Sequence, residues 1–84
     1  MKITVKLYAM LQDKLPQGTK KNSVELDLPE GSAATVVIEH FKIPKEMAHL
    51  VMVNGKHLLP NEVRERPLKE GEVLAMFPPI MGGR

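Results

Sequence analysis

Residues 24–41 read VELDLPEGSAATVVIEHF, and the spacing of their hydrophobic residues changes in the middle of this stretch. Up to Leu28 apolar residues alternate with polar ones, which is the pattern of a strand buried on one face. Beyond Ser32 they follow the spacing of one helix face, at Ala34, Val37, Ile38 and Phe41. We therefore predict a strand, a turn at Pro29-Glu30-Gly31, and a helix from Ala33 to about Phe41 with Ser32 as its N-cap.

Further strands flank this unit on both sides. Alternating residues predict an opening strand over about residues 2–8, joined to the next by a polar loop from Gln12 to Asn22. Leu50–Val53 is rich in β-formers and stops at Asn54-Gly55, a pair suited to a tight hairpin, so residues 56–59 are predicted to return as a strand. After a turn at 68–71, residues 72–77 predict the last strand, which Pro78 and Pro79 end.

The element order β-β-α-β-β-β predicts an α+β fold of one definite kind. The helix buries its apolar face most simply across a mixed sheet in which the first and last strands are adjacent, which is the β-grasp. Strand parity then places Tyr8 and Phe77 together on the sheet face away from the helix, as a partner contact or as a pair that shields the sheet. We expect residues 1–77 to form this domain and residues 78–84 a flexible C-terminal tail.

Composition excludes several classes of function. The 84 residues allow one core, and their 43% hydrophobic and 26% charged residues are typical of a globular domain. Cysteine is absent, so disulfides, cysteine-bound metals and thiol nucleophiles are excluded, and any sulfur chemistry must use another group. Charges are interleaved, Lys20-Lys21 being the only adjacent basic pair, which disfavours nucleic-acid binding. Neither a membrane span nor a signal peptide is visible, and we expect a cytoplasmic protein.

The side chains that carry chemistry elsewhere form no catalytic or metal-binding set in this sequence. His40, His49 and His57 lack the spacing of metal ligands, so we expect no metal and no cofactor. Methionines other than Met81 are expected to fill the core. Glu70 and Glu72 flank a turn and are expected to be solvated. Because no nucleophile, base and orienting residue can be assembled, we expect a protein that is not an enzyme.

Three segments resemble the MoaD and ThiS group of ubiquitin-like sulfur carriers. They are the opening strand with Tyr8-Ala9, the run Val51-Met52-Val53-Asn54-Gly55, and residues 68–83, which end in FPPIMGG. The Pro-Pro form is closer to MoaD. The resemblance implies that an ATP-dependent activating enzyme adenylates the Gly83 carboxylate, which becomes a thiocarboxylate. In the MoaD branch the sulfur passes to a pterin while the tail lies in the active site of a larger, sulfur-accepting synthase subunit, which makes molybdopterin or its tungsten form. In the ThiS branch the receiver is the thiazole of thiamine.

The tail has physical properties that suit this role. Six residues beyond Phe77 reach about 20 Å when extended, Pro78-Pro79 stiffens the base of the arm, and Gly82 and Gly83 fit a narrow channel. Ile80 and Met81 are apolar and are expected to contact a partner. The alternative for Gly82-Gly83 is an unimportant terminus.

Arg84 departs from the family pattern, because it displaces the carboxylate one residue beyond Gly83. We expect a peptidase to remove it before activation, the alternative being a harmless extension. A ubiquitin-like modifier that is joined through Gly83 to a lysine would use the same activation step. An RNA- or protein-binding β-grasp module is disfavoured by the Gly-Gly and by the dispersed basic residues.

Overall fold

The computed structural model describes residues 1–15 and 22–79. Its strands are β1 (Lys2–Leu7), β2 (Ser23–Asp27), β3 (Leu50–Val53), β4 (Lys56–His57) and β5 (Val73–Phe77). Its α-helices are α1 (Ala34–His40) and α2 (Pro60–Glu65), and two 3₁₀ helices span Ala9–Lys14 and Lys45–Met47. Among these residues no helix is both long enough and apolar enough to cross a membrane.

The strands form one mixed sheet in the order β2-β1-β5-β3-β4. β1 and β5 are parallel, with Val5 opposite Leu74, and the other pairs are antiparallel. The first and last strands are therefore adjacent, and β5 is the central strand. This arrangement confirms the predicted β-grasp topology.

One core lies between α1 and the sheet. Ala34 and Val37 of α1 and its C-cap residue Phe41 are buried, as are the inward-facing residues of β1 and β5. These strand residues are Ile3, Val5, Leu7, Leu74 and Met76, each no more than 1% exposed. The inward face that strand parity predicts for β1 and for β5 is confirmed. Apolar burial on this scale is the main term that stabilises a domain of this size.

The predicted start of the helix was wrong by one residue, and Ser32 is not its N-cap. Ala33 occupies the N-cap position with an extended backbone, because it bridges to Pro67 across from it. The Ser32 hydroxyl instead donates to the Pro29 carbonyl at 2.8 Å and so closes the preceding turn. Gly31, with φ of 87°, supplies the left-handed conformation that this turn requires.

The end of α1 has the hydrogen bonds of a Schellman motif. The Ile43 amide donates to the Ile38 carbonyl at 3.0 Å, and the Lys42 amide donates to the Glu39 carbonyl at 3.1 Å. Lys42 takes the left-handed position, with φ of 56°, that glycine usually fills. Lys42, the residue after the C-cap of α1, therefore has a strained backbone conformation.

Three helical segments were not predicted, namely Ala9–Lys14, Lys45–Met47 and Pro60–Glu65, and one strand ends earlier than predicted. The returning strand ends at His57 rather than at residue 59, because Pro60 starts α2 and Glu62 Oε1 accepts the Leu59 amide at 2.8 Å. Ala9, with φ of 53°, turns the chain out of β1 into the Ala9–Lys14 3₁₀ helix, part of which was predicted as loop. Leu11 of that helix is buried against the core.

Candidate functional site

The end of the central strand is held from both sides. The Tyr8 amide donates to the Met76 carbonyl at 3.2 Å, and the His49 amide donates to the Phe77 carbonyl at 3.1 Å. β5 ends at Phe77, as predicted, and is followed by Pro78 and Pro79, which have no amide hydrogen for a ladder. The chain therefore leaves the sheet from a fixed point between β1 and β3. The role of the His49 amide was not predicted, because it depends on the register of β3 against β5.

Tyr8 and Phe77 form the predicted cross-strand pair on the face opposite α1. Their ring centroids are 4.2 Å apart and their planes differ by 11°, which is a stacked arrangement. Both residues are half-buried. A stack of this kind adds about 0.5 to 1.5 kcal/mol beyond the area that the rings bury. Their contact with a partner stays a prediction.

The register extends this pair into a larger apolar surface. Leu50 lies opposite Phe77, and Met52 lies opposite Ala75. All three of these added residues are half-buried, and all face the same way as the aromatic pair. We call this surface the outer-sheet patch, and it consists of Tyr8, Leu50, Met52, Ala75 and Phe77. Leu50 and Met52 were missed in the sequence, since strand parity identifies them only once the pairing of β3 with β5 is known.

The remaining tail residues lie outside the described part of the chain. They are Ile80, Met81, Gly82, Gly83 and Arg84. The roles predicted for them, and the division into a domain and a tail, stay predictions. Lys20-Lys21 also lies outside the described residues.

The expectation that Glu72 is solvated was wrong. Its side chain accepts two hydrogen bonds from the Arg66 guanidinium, at 3.2 and 3.0 Å, and one from the Lys69 amide at 2.8 Å. Only 8% of the residue is exposed. The hydrogen bonds from Arg66 are the largest cause of a lowered pKa of the Glu72 carboxyl, burial opposes them, and the Lys69 amide adds to the lowering. Glu70 remains exposed and accepts the Lys2 amide at 2.9 Å.

The histidines and methionines show no metal site in residues 1–15 and 22–79. No three His, Cys, Asp or Glu side chains come together there as metal ligands. The His40 ring lies edge-on to Phe41 with centroids 4.8 Å apart, and His49 and His57 are exposed. Met76 fills the core as expected. Met10 is 45% exposed and Met52 lies in the outer-sheet patch, so the prediction for the methionines was wrong at these two positions.

These features define a ubiquitin-like β-grasp protein, with a helix across one sheet face and a chain that continues from the end of the central strand. The chain belongs to the ThiS family, whose family model matches residues 5–83. The family consists of carrier proteins. The predicted membership in the MoaD and ThiS group is confirmed.

Solved structures support the fold. Putative molybdopterin converting factor subunit 1 from Pyrococcus furiosus is 26% identical, with a TM-score of 0.68 over 95% of this chain and 99% of that chain. SAMP1 from Haloferax volcanii is 18% identical, with a TM-score of 0.66 over 99% and 100%. A chain of the complex of subunits 1 and 2 of molybdopterin-converting factor from Helicobacter pylori is 15% identical, with a TM-score of 0.61 over 99% and 100%. The comparison with curated proteins gave no match.

Proposed function

We propose that this protein is a sulfur carrier whose Gly83 carboxylate is adenylated and then converted to a thiocarboxylate. The observation that carries the proposal is the central strand, which is held at Phe77 from both sides and continues into the sequence PPIMGG. Membership in the ThiS family supports it. The similarity to the Pyrococcus furiosus protein, a putative molybdopterin converting factor subunit 1, favours molybdopterin or its tungsten form as the product that receives the sulfur.

The proposed chemistry takes place on the tail and not in a pocket of this domain. A carboxylate is a poor acyl donor, because the group that would leave is oxide. Attack of the Gly83 carboxylate on the α-phosphate of ATP releases pyrophosphate and leaves an acyl adenylate. Sulfide displaces AMP and leaves the thiocarboxylate directly. A persulfide displaces AMP to leave an acyl disulfide, which a second thiol then reduces to the thiocarboxylate while forming a disulfide with the sulfur donor. The carrier supplies only the carboxylate and its placement, so the activating enzyme provides the catalytic groups.

The outer-sheet patch is the proposed contact with the enzymes that use the tail. It surrounds the point where the arm begins, and Ile80 and Met81 extend the apolar character along the arm. A larger synthase subunit is the proposed sulfur-accepting partner, in line with the complex of subunits 1 and 2 from Helicobacter pylori. Tyr8 and Phe77 are the proposed centre of that contact, since aromatic residues are enriched among the residues that dominate interface energies.

Arg84 follows the glycine that would be activated, so the proposal includes its removal by a peptidase. One extra residue moves a carboxylate by about 3.5 Å, whereas alignment with the α-phosphate requires placement within about an ångström. Chains ending at Arg84 and at Gly83 should be compared in ATP-pyrophosphate exchange with the cognate activating enzyme. We expect exchange only with the shorter chain. Equal exchange, with Arg84 still present by mass afterwards, would exclude the removal step.

Two alternatives use the same activation and differ in the acceptor. A ubiquitin-like modifier would transfer Gly83 to a lysine of another protein, and a thiamine-type carrier would deliver sulfur to a thiazole. Mass spectrometry of protein isolated from its own cells distinguishes a ubiquitin-like modifier from a sulfur carrier. Replacement of one carboxylate oxygen by sulfur supports the carrier, whereas lysine-linked conjugates without any thiocarboxylate would refute it. Deletion of the gene distinguishes a molybdopterin-type carrier from a thiamine-type carrier. Loss of molybdopterin with thiamine unaffected supports the molybdopterin type.

A further inference from the structure

A groove lies on the helix side of the sheet, beyond the edge of α1. Its walls are α1, α2, the Lys45–Met47 3₁₀ helix with the residues that follow it, and the strands β3 and β4. Its volume is about 670 Å³, which falls in the range of sites that bind small molecules or several side chains of a peptide. The outer-sheet patch faces away from α1 on the opposite side of the sheet, so the two surfaces do not overlap except at the edge residue Leu50.

The floor of the groove is apolar, and the rim carries two permanent cations and one carboxylate. The floor consists of Ile38, Ile43, Val51, Leu58 and Val63. The rim includes Lys45 and Arg64, one carboxylate from Glu39, and the residues His49 and His57.

The two permanent cations of the rim have no ion-pair partner among the described residues. Every ion pair found in residues 1–15 and 22–79 involves either the amino group of Met1 or the guanidinium of Arg66. Lys45 and Arg64 lie on different walls, the first on the 3₁₀ helix and the second on α2. A ligand that complements this surface has an apolar body with anionic groups at separate points.

We propose that the groove binds a short segment of a partner protein that carries apolar residues flanked by carboxylates. Lys45 and Arg64 lie on different walls, so a peptide segment with two separated carboxylates can pair with both cations, whereas a small molecule with one acidic group can pair with only one. The binding does not depend on the chemistry of the tail. Because the groove and the outer-sheet patch lie on opposite faces, one partner bound through the arm leaves the groove free for a second.

The test uses three end-blocked hexapeptides as probes, Asp-Leu-Val-Val-Leu-Asp and its counterparts with lysine or asparagine at both ends. Each is titrated into the full-length, isotope-labelled protein and followed by two-dimensional amide NMR. We expect shift changes at Ile38, Val51 and Val63 and none at Tyr8 or Phe77. The acidic peptide should bind about tenfold more tightly than the asparagine peptide, because two exposed ion pairs together contribute about that factor.

A charge exchange gives the matched control. Lys45→Glu combined with Arg64→Glu should reverse the preference, so that the lysine peptide binds most tightly. Lys14→Glu combined with Lys56→Glu changes the net charge equally at exposed residues outside the groove lining and should leave the preference as it was. Amide spectra of the free variants establish that both remain folded. Equal effects of the two double variants, shift changes centred on Tyr8 and Phe77, or no groove shifts at millimolar peptide would overturn the proposal.

Discussion

The paired carboxylate of Glu72 gives a sharp prediction about stability. Glu72→Gln keeps the size of the side chain but removes its charge, so the bidentate ion pair is reduced to at most one hydrogen bond, from the charged Arg66 guanidinium to a neutral amide oxygen. The Lys69 amide then loses a charged acceptor as well. We expect the substitution to destabilise the domain, because the carboxylate lies where water cannot replace its partners.

The expected cost lies between the values for surface and buried ion pairs. Removing one partner of a fully buried pair costs about 3 to 5 kcal/mol, and an exposed pair contributes about 0 to 1 kcal/mol. The side chain of Glu72 is 11% exposed and that of Arg66 is 32% exposed, so solvent screens the arginine end. We expect a loss of about 2 kcal/mol, which corresponds to a fall in the melting temperature of about 10 °C for a domain of this size.

Urea unfolding and calorimetry at pH 7 measure this cost, with Glu65→Gln as the control at an exposed carboxylate on the same segment. Because the pKa of Glu72 is lower in the folded state, its contribution is complete above the unfolded pKa, near 4.5, and is lost as the pH falls through the folded pKa. The difference between wild type and Glu72→Gln should therefore shrink in acid. A change at pH 7 no larger than that of Glu65→Gln would refute the reasoning.

Three further predictions concern the helix end, the patch and the arm. Lys42→Gly should raise the free energy of unfolding, measured in urea, by about 0.5 to 1 kcal/mol, since glycine takes the left-handed position without strain. Lys42→Ala should not stabilise the domain, and equal effects of the two substitutions would contradict this reasoning. Phe77→Ala should weaken binding to the synthase subunit by about 2 kcal/mol or more in calorimetric titration and lower stability by less, whereas unchanged affinity with a large loss of stability would place Phe77 in a structural role. Inserting several residues between Pro79 and Ile80 should abolish sulfur transfer with an unchanged amide spectrum, and surviving transfer would exclude an arm of defined length.

Local pattern was sufficient for most of the fold. The spacing of Val24, Leu26 and Leu28, followed by that of Ala34, Val37 and Phe41, identified strand and helix because each period buries one face. Asn54 and Gly55 both adopt positive φ, at 50° and 84°, as the predicted hairpin turn requires. Tyr8 and Phe77 were paired correctly because parity along two neighbouring strands determines which side chains share a face.

The features that were missed depend on contacts between distant segments. Ser32 has the right side chain for an N-cap, but the bridge from Ala33 to Pro67 delays the helix by one residue. Glu72 flanks a turn, which in the sequence predicts exposure. Its burial and pairing depend on the Arg66 guanidinium, which folds back to donate two hydrogen bonds to its carboxylate. The helix α2 is six residues long, which is too short for an amphipathic period to stand out.

Both ends of the central strand are fixed, and this bears on how the tail reaches a partner. At the start of β5 the Val73 amide donates to Asn54 Oδ1 at 2.9 Å, and the Thr4 amide donates to the Glu72 carbonyl at 3.0 Å. At its end the amides of Tyr8 and His49 hold Met76 and Phe77. Each residue that must be ordered on binding costs about 1 to 2 kcal/mol of backbone entropy. Because the end of β5 at Phe77 is already held in place, this cost applies only to the residues of the arm. Pro78 and Pro79 reduce it further, because their φ angles are set before binding. In the proposed carrier function, the domain is a rigid attachment point for the arm, and the position of Phe77 is the link between the stability of the domain and the proposed sulfur transfer.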